Sequence, residues 1–185
     1  MAKIGLQNFK YSVLTENGNV VSYAGAKSLG KAIDCKVSIE KYEAELYADD
    51  TLAESDNTFK KGTITLTIDE DDDTVFAEIL GHQVDKETGE MVRKDTDIAP
   101  YVGVGRILTK VVNGTYKYKV EFLPKVKFSE PEQEEATKGD SVEFKTPAVE
   151  GTVQKLADGT WSKSKTFTSK EEAVTYLDEL LAKTA

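Results

Sequence analysis

The feature that most constrains this chain is a side-chain period of two. Residues 63–69 read Thr-Ile-Thr-Leu-Thr-Ile-Asp, apolar and polar in unbroken alternation. Successive side chains of a strand point to opposite faces, so Ile64, Leu66 and Ile68 share one side and Thr63, Thr65 and Thr67 the other. Val37 and Ile39 alternate with Lys36, Ser38 and Glu40 in the same way. Two longer β-rich runs, residues 101–112 and 115–128, flank Asn113-Gly114. A type I′ turn needs positive φ at both central residues, which Asn-Gly accepts, so these runs are predicted to form a hairpin. On the return strand Tyr116, Tyr118, Val120 and Phe122 share a face, and Lys117, Lys119 and Glu121 share the other. Pro124 lacks a ladder donor and predicts an edge or a bulge.

Shorter strands are expected at residues 9–14 and 20–23, around an Asn17-Gly18 turn. Others are expected at 43–48, 83–85, 91–93, 141–144, 152–156 and 160–166, the last two joined as a hairpin by Asp158-Gly159. Two helices interrupt the β pattern. Residues 72–80 follow an acidic run, place Val75, Phe76, Ile79 and Leu80 at helical spacing, and stop at Gly81. Residues 170–182 begin at Ser169, with Glu172 three residues on as in a capping box, and carry the stripe Val174, Leu177, Leu180, Leu181. The chain therefore reads as mainly β, α+β in class, and 185 residues suit a single domain. The polar segment 129–140 is expected to be a long exposed loop, and loops of that length are usually functional or mobile.

Composition narrows the chemistry. Lys+Arg 24 against Asp+Glu 33 leaves a net charge of −9, unfavourable for gripping nucleic-acid phosphates. One cysteine, Cys35, forms no internal disulfide and no Cys-based zinc cage, and a lone His82 leaves histidine-based sites short of parts. The opening residues carry no apolar leader segment, so a secretory signal is not expected, and no run is long and apolar enough for a membrane span. The run Asp69-Glu70-Asp71-Asp72-Asp73 has oxygen donors for a hard cation but lacks the glycine and distal glutamate of an EF-hand. Helix capping explains it better.

Gly103-Val104-Gly105 is half of a dinucleotide fingerprint, but Leu108 stands where the third glycine belongs and a strand continues there. A bulge or a close backbone approach is the expected role. His82 is expected to meet the negative end of the helix dipole. Cys35, beside Val37 in a strand pattern, reads as a small buried hydrophobe. Asn113-Gly114-Thr115 matches a glycosylation sequon, but the turn accounts for it. Trp161 is expected to anchor the last hairpin on the core rather than to stack a sugar or base.

Four blocks, in order along nearly the whole chain, carry a resemblance. They are residues 4–14 (Ile-Gly-Leu-Gln-Asn-Phe-Lys-Tyr-Ser-Val-Leu), 47–55 (Tyr-Ala-Asp-Asp-Thr-Leu-Ala-Glu-Ser), 99–106 (Ala-Pro-Tyr-Val-Gly-Val-Gly-Arg), and 116–122 continuing to 126–131. The sequence resembles the major tail tube proteins of long-tailed phages and prophages of Gram-positive bacteria. The resemblance implies two packed β-sheets with a flanking helix. It also implies a hexameric ring whose strands join into a continuous inner barrel, and stacking of rings into the tube that carries the genome from capsid to cell. The implied partners are further copies of itself, a tape-measure protein, and tail terminator and baseplate or initiator proteins. Double-stranded DNA is expected only as transiting cargo, which the −9 charge would repel rather than bind. The implied location is the virion tail, and the host cytoplasm before assembly. No catalytic residue, cofactor or metal is expected, and no membrane partner.

Within that expectation, contacts between subunits or rings are placed at Tyr47, Leu52 and Phe59, in an otherwise polar excursion at residues 42–58. A row formed by Lys117, Lys119, Lys125 and Lys127 is expected to meet an acidic neighbour. Thr63, Thr65 and Thr67 are candidates for the lumen, and the residues before Phe9 and the loop 129–140 are further mobile candidates. The C-terminal helix, around residues 168–185, has no motif that fixes its packing. Two alternatives stand beside this reading: a monomeric β-sandwich module binding a sugar or peptide through Trp161 and nearby tyrosines, and a small enzyme using the acidic run with a divalent metal.

Overall fold

A computed structural model describes the chain apart from residues 1, 19, 49–50, 70–71, 86, 133–145, 147 and 184–185 and the side chains of residues 2–3, 44–48 and 51–56. In chain order the elements are β1 (Ala2–Asn17), β2 (Val20–Tyr23), β3 (Lys27–Ser28), β4 (Ala32–Lys41), β5 (Ala44–Ala48), β6 (Thr51–Asp56), β7 (Phe59–Ile68) and α1 (Asp73–Leu80). They continue with β8 (Gln83–Val84), β9 (Met91–Val92), β10 (Val102–Val112), β11 (Thr115–Phe128), β12 (Ala148–Val153), β13 (Lys163–Phe167) and α2 (Lys170–Leu181). The chain is mainly β, with two helices and a large antiparallel sheet. No helix among the described residues is long and apolar enough to cross a membrane.

Nine strands form one sheet in the order β2-β1-β10-β11-β12-β7-β4, with β3 also on β1 and β13 also on β11. The sheet folds over, so that β4 comes back against β1 without hydrogen-bonding to it. Two cores result. The first fills the inside of the fold: Phe9 and Tyr11 of β1, Val102 and Val104 of β10, and Leu123, Val126 and Phe128 of β11 meet Ile64, Leu66 and Ile68 of β7 and Phe76, Ile79 and Leu80 of α1. The second lies on the opposite face of β10 and β11, where Ile107, Val120 and Phe122 pack on Ala173, Leu177 and Leu181 of α2. The strict alternation of β7 therefore does what its sequence requires: Ile64, Leu66 and Ile68 are buried, and Thr63, Thr65 and Thr67 are half-buried on the other face.

The β10–β11 hairpin turns on Asn113 (φ 51) and Gly114 (φ 76), as Asn-Gly predicts. The expected Asn17-Gly18 turn is displaced by one residue, because Asn17 is the last paired position, opposite Val20, and Gly18 (φ 61) begins the turn. β1 is far longer than expected. Its residues before Phe9 are paired with β10 rather than forming a loose end, through bulges near Ile4 and Asn8, the latter at φ 51. The Asp158-Gly159 segment turns tightly, with Leu156 N–H donating to Thr160 O at 2.9 Å, but it closes no hairpin. β12 and β13 instead lie in tandem along the same edge of β11, Gly151–Val153 opposite Phe128–Val126 and Lys163–Phe167 opposite Phe122–Tyr118. The gap between them falls at Pro124 and Lys125, where β11 is itself bulged against β10. Proline's missing donor is accommodated at that interruption, on a strand flanked on both sides rather than at a sheet edge.

Both helices form where expected. The Asp72 carboxylate caps α1, accepting from Thr74 N–H at 2.8 Å and Val75 N–H at 3.4 Å, so part of the acidic run is a cap. Gly81 ends the helix in the left-handed region (φ 84), and a Cβ there would stand 2.3 Å from Ile98 O. The expected capping box at Ser169 and Glu172 does not form its side-chain bond, since Ser169 Oγ makes no capping hydrogen bond. The helix is held instead by its buried stripe, by Lys10 Nζ to Asp178 at 2.6 Å, and by Tyr23 N–H donating to Lys183 O at 2.9 Å. The expected strand at 141–144 and most of the expected loop at 129–140 lie outside the described residues.

Candidate assembly surfaces

The excursion at residues 42–58 is a β-ribbon. β5 and β6 pair with each other, and Tyr42 N–H donates to Thr58 O at 2.8 Å at the base. The ribbon belongs to no larger sheet and continues the β4–β7 hairpin as a separate arm. Tyr47 and Leu52 are register partners in it, and their side chains lie outside the described residues. Phe59, expected as an exposed contact, is instead half-buried, its ring stacked on Trp161 at 4.8 Å between centroids and 4° between planes. Trp161 thus anchors the base of the arm, not the last hairpin. Tyr42 is the exposed aromatic at that base, 54% accessible, with Lys60 Nζ 5.9 Å from its ring centroid.

The threonine row lies on a polar three-strand face. Register places Ser38, Lys36 and Asp34 of β4 beside Thr63, Thr65 and Thr67, and Thr152, Glu150 and Ala148 of β12 on their other side. Opposed residues share a face, so these rungs are polar, while Ile33, 57% exposed, stands at the β4 bulge between Ala32 and Asp34 at the end of this surface.

The expected row of four lysines does not exist as a row. Lys119 points to the first core's side, in a cleft with Phe9, Ile64 and Leu123. The bulge at Pro124 inverts the alternation, so that Leu123, Val126 and Phe128 all reach the first core and the odd-numbered residues beyond it point the other way. Lys125 and Lys127 accordingly lie over the Tyr101 ring, at 4.7 and 5.5 Å, beside the second core, where Lys125 also pairs with Glu16. Lys117 stays with Lys119, register-paired with Lys110.

The cleft that receives Lys119 holds about 380 Å³ between β4–β7 and β10–β11, with Trp161, Ser162 and Ser164 at one side. The sequence reading placed Lys119 and Glu121 on one strand face but did not join them to Arg106, which forms the rest of the cleft's polar wall. Arg106 donates to Glu121 Oε2 from Nε (3.2 Å) and Nη2 (2.8 Å), Lys119 Nζ donates to Glu121 Oε1 at 2.6 Å, and Arg106 Nη1 lies 2.6 Å from Cys35 Sγ. Burial works against the Glu121 charge, but the bonds from Lys119 and Arg106 hold its carboxyl below the ordinary range. Burial pushes the Cys35 thiol up, and Arg106 only partly offsets it, so Cys35 is a weak nucleophile hydrogen-bonded at the core's edge. The register Arg106↔Glu121 across the β10–β11 hairpin was the available signal, and it is countable from the Asn-Gly turn.

His82 is not simply a dipole partner. Its side chain is 6% exposed and bridges two carboxylates, Asp97 at 2.8 Å on Nδ1 and Glu130 on Nε2. The Asp97 bond, and then Glu130, raise its pKa against the opposing effect of burial. The clamp ties the end of α1, the approach to β10 and the exit from β11 to one another.

Compared with protein-family models and with curated proteins, the chain matches none.

Proposed function

We propose that this protein is a self-assembling structural subunit of a phage tail tube, six copies forming a ring and rings stacking into a conduit for DNA. The observation that carries the reading is the outer edge of β4. Among the described residues this ten-residue strand hydrogen-bonds as a strand only to β7, and where it comes back against β1 it forms no ladder, so the donors and acceptors of its other edge have no strand partner at the end of a nine-stranded sheet. Long open edges are a template for pairing with another chain, and closing them into a shared barrel removes the liability. The polar face of β4, β7 and β12, with its threonine row, is the surface suited to line a channel. Asp34 and Glu150 outnumber Lys36 on its central rungs, and with the −9 charge of every copy they favour passage of phosphate without adhesion over a Debye length of ~8 Å. The β5–β6 arm reaches beyond the sheet and supports a contact between rings. A tape-measure protein inside the tube, with terminator and initiator proteins at its ends, completes the expected partners.

Electron microscopy of the purified chain, alone and with the tail initiation complex, tests the proposal. Six-fold rings or hollow filaments are the expected result, and a monomer under both conditions would overturn it. The competing reading, a ligand-binding module using the cleft beside Trp161, would then be favoured by saturable binding of a sugar or peptide. One face of the Trp161 ring is already covered by Phe59, which speaks against it.

A further inference from the structure

We infer that a rung of lysines at the free end of β1, β10 and β11 docks the acidic β5–β6 arm of a second copy of this chain. The inference rests on the self-assembly reading and names the partner surface within it. Register sets Lys3 opposite Lys110 and Lys110 opposite Lys117, so three lysines occupy one rung across three neighbouring strands. Like charges directly opposite one another on a sheet are destabilising. Among the described residues neither Lys110 nor Lys117 forms an ion pair that would relieve this. Lys10, Lys27, Lys31, Lys61, Lys119 and Lys125 each have a carboxylate.

The arm is the complementary piece. Residues 42–58 contain Glu43, Glu45, Asp49, Asp50, Glu54 and Asp56 and no lysine or arginine. A two-stranded ribbon is marginally stable by itself, and one bearing six acids also repels itself. Both costs fall when it lies against a cationic surface. Rung and arm are different parts of the same chain, so their pairing between copies is head-to-tail. Contacts of that kind propagate into rings or filaments rather than stopping at a dimer.

The test is charge reversal in the full-length chain. Lys110→Glu with Lys117→Glu should weaken self-association by roughly a hundredfold or more, because like-charge juxtaposition at an interface costs several kcal/mol. Adding Asp49→Lys, Asp50→Lys and Glu54→Lys to the same chain should restore it. Sedimentation velocity at low and high salt reads both, and circular dichroism confirms folding. Wild-type-like assembly by the lysine variant, or failure of the folded combined variant to recover, would overturn the docking while leaving the tube reading intact. Loss of duplex DNA binding with assembly unchanged would also overturn it, assigning the rung to nucleic acid. A wild-type chain that never associates would defeat the tube reading itself.

Discussion

Leu177 of α2 occupies the space that a side chain on Gly105 of β10 would need: a Cβ at Gly105 would stand 2.2 Å from Leu177 Cδ1. Gly103 is similarly crowded by the rings of Tyr23, at 2.6 Å, and Phe122, at 3.1 Å. The two glycines that hint at a phosphate-binding loop are therefore the floor on which the second core is laid. Leu177 is fully buried there, beside Phe122 and Ile107.

Gly105→Ala should therefore destabilise the fold, by about 1–3 kcal/mol as expected for overpacking. Combining it with Leu177→Ala should cost less than the two single changes added together, since the smaller helix residue makes room. Urea unfolding of the four chains in this cycle measures the coupling, and strict additivity would contradict the close approach.

Stability should depend on His82 in a definite direction. Its pKa is raised in the folded chain, so the clamp's contribution is full below the unfolded imidazole value of about 6.5 and is lost as pH rises through the folded one. Asp97 is lowered, chiefly by its bond to His82, so its contribution is present above about 3.9 and lost as pH falls through its folded value. Thermal melts of the wild type and His82→Gln should differ most between those limits and converge towards alkaline pH. A difference that grows above neutrality would refute the clamp.

The Arg106–Glu121–Lys119 group should behave as a buried, interdependent unit. Glu121→Gln should cost roughly 2 kcal/mol, below the about 3–5 kcal/mol for breaking a fully buried ion pair, because the side chains keep some solvent contact. Cys35 should react slowly with a thiol reagent in the native chain and rapidly once unfolded, because burial favours its protonated form. Fast native labelling at neutral pH would contradict that environment.

Deleting residues 49–57 removes most of a ribbon that pairs with no other strand among the described residues. The shortened subunit should fold, with an unchanged circular dichroism spectrum apart from the lost strand signal, and should fail to form tubes by electron microscopy. Normal tubes would refute a contact role for the arm.

Much of this architecture was legible locally. The alternation of β7, the Asn113-Gly114 turn, the Asp72 cap and the Gly81 stop each depend on residues a few positions apart, and each forms as expected. The misreadings share a different origin. Ser169 with Glu172 has the pattern of a capping box, yet α2 is held by Leu177 on Gly105 and by Lys10 on Asp178, partners far away in sequence. Asp158-Gly159 makes its turn, but β12 and β13 both answer to β11, so no hairpin follows.

The sequence alone determined that β7, β10 and β11 are extended, which face of β7 and of β11 up to Phe122 is apolar, and that a mainly β-structure would result. Periodicity and turn chemistry act over short distances and need no partner. Tertiary structure decided which faces coincide. At Pro124 one bulged residue inverts the alternation, sending Lys117 and Lys119 to one side of the sheet and Lys125 and Lys127 to the other. A one-residue slip in a period of two reverses every side chain beyond it, and whether it happens depends on pairing with β10, β12 and β13.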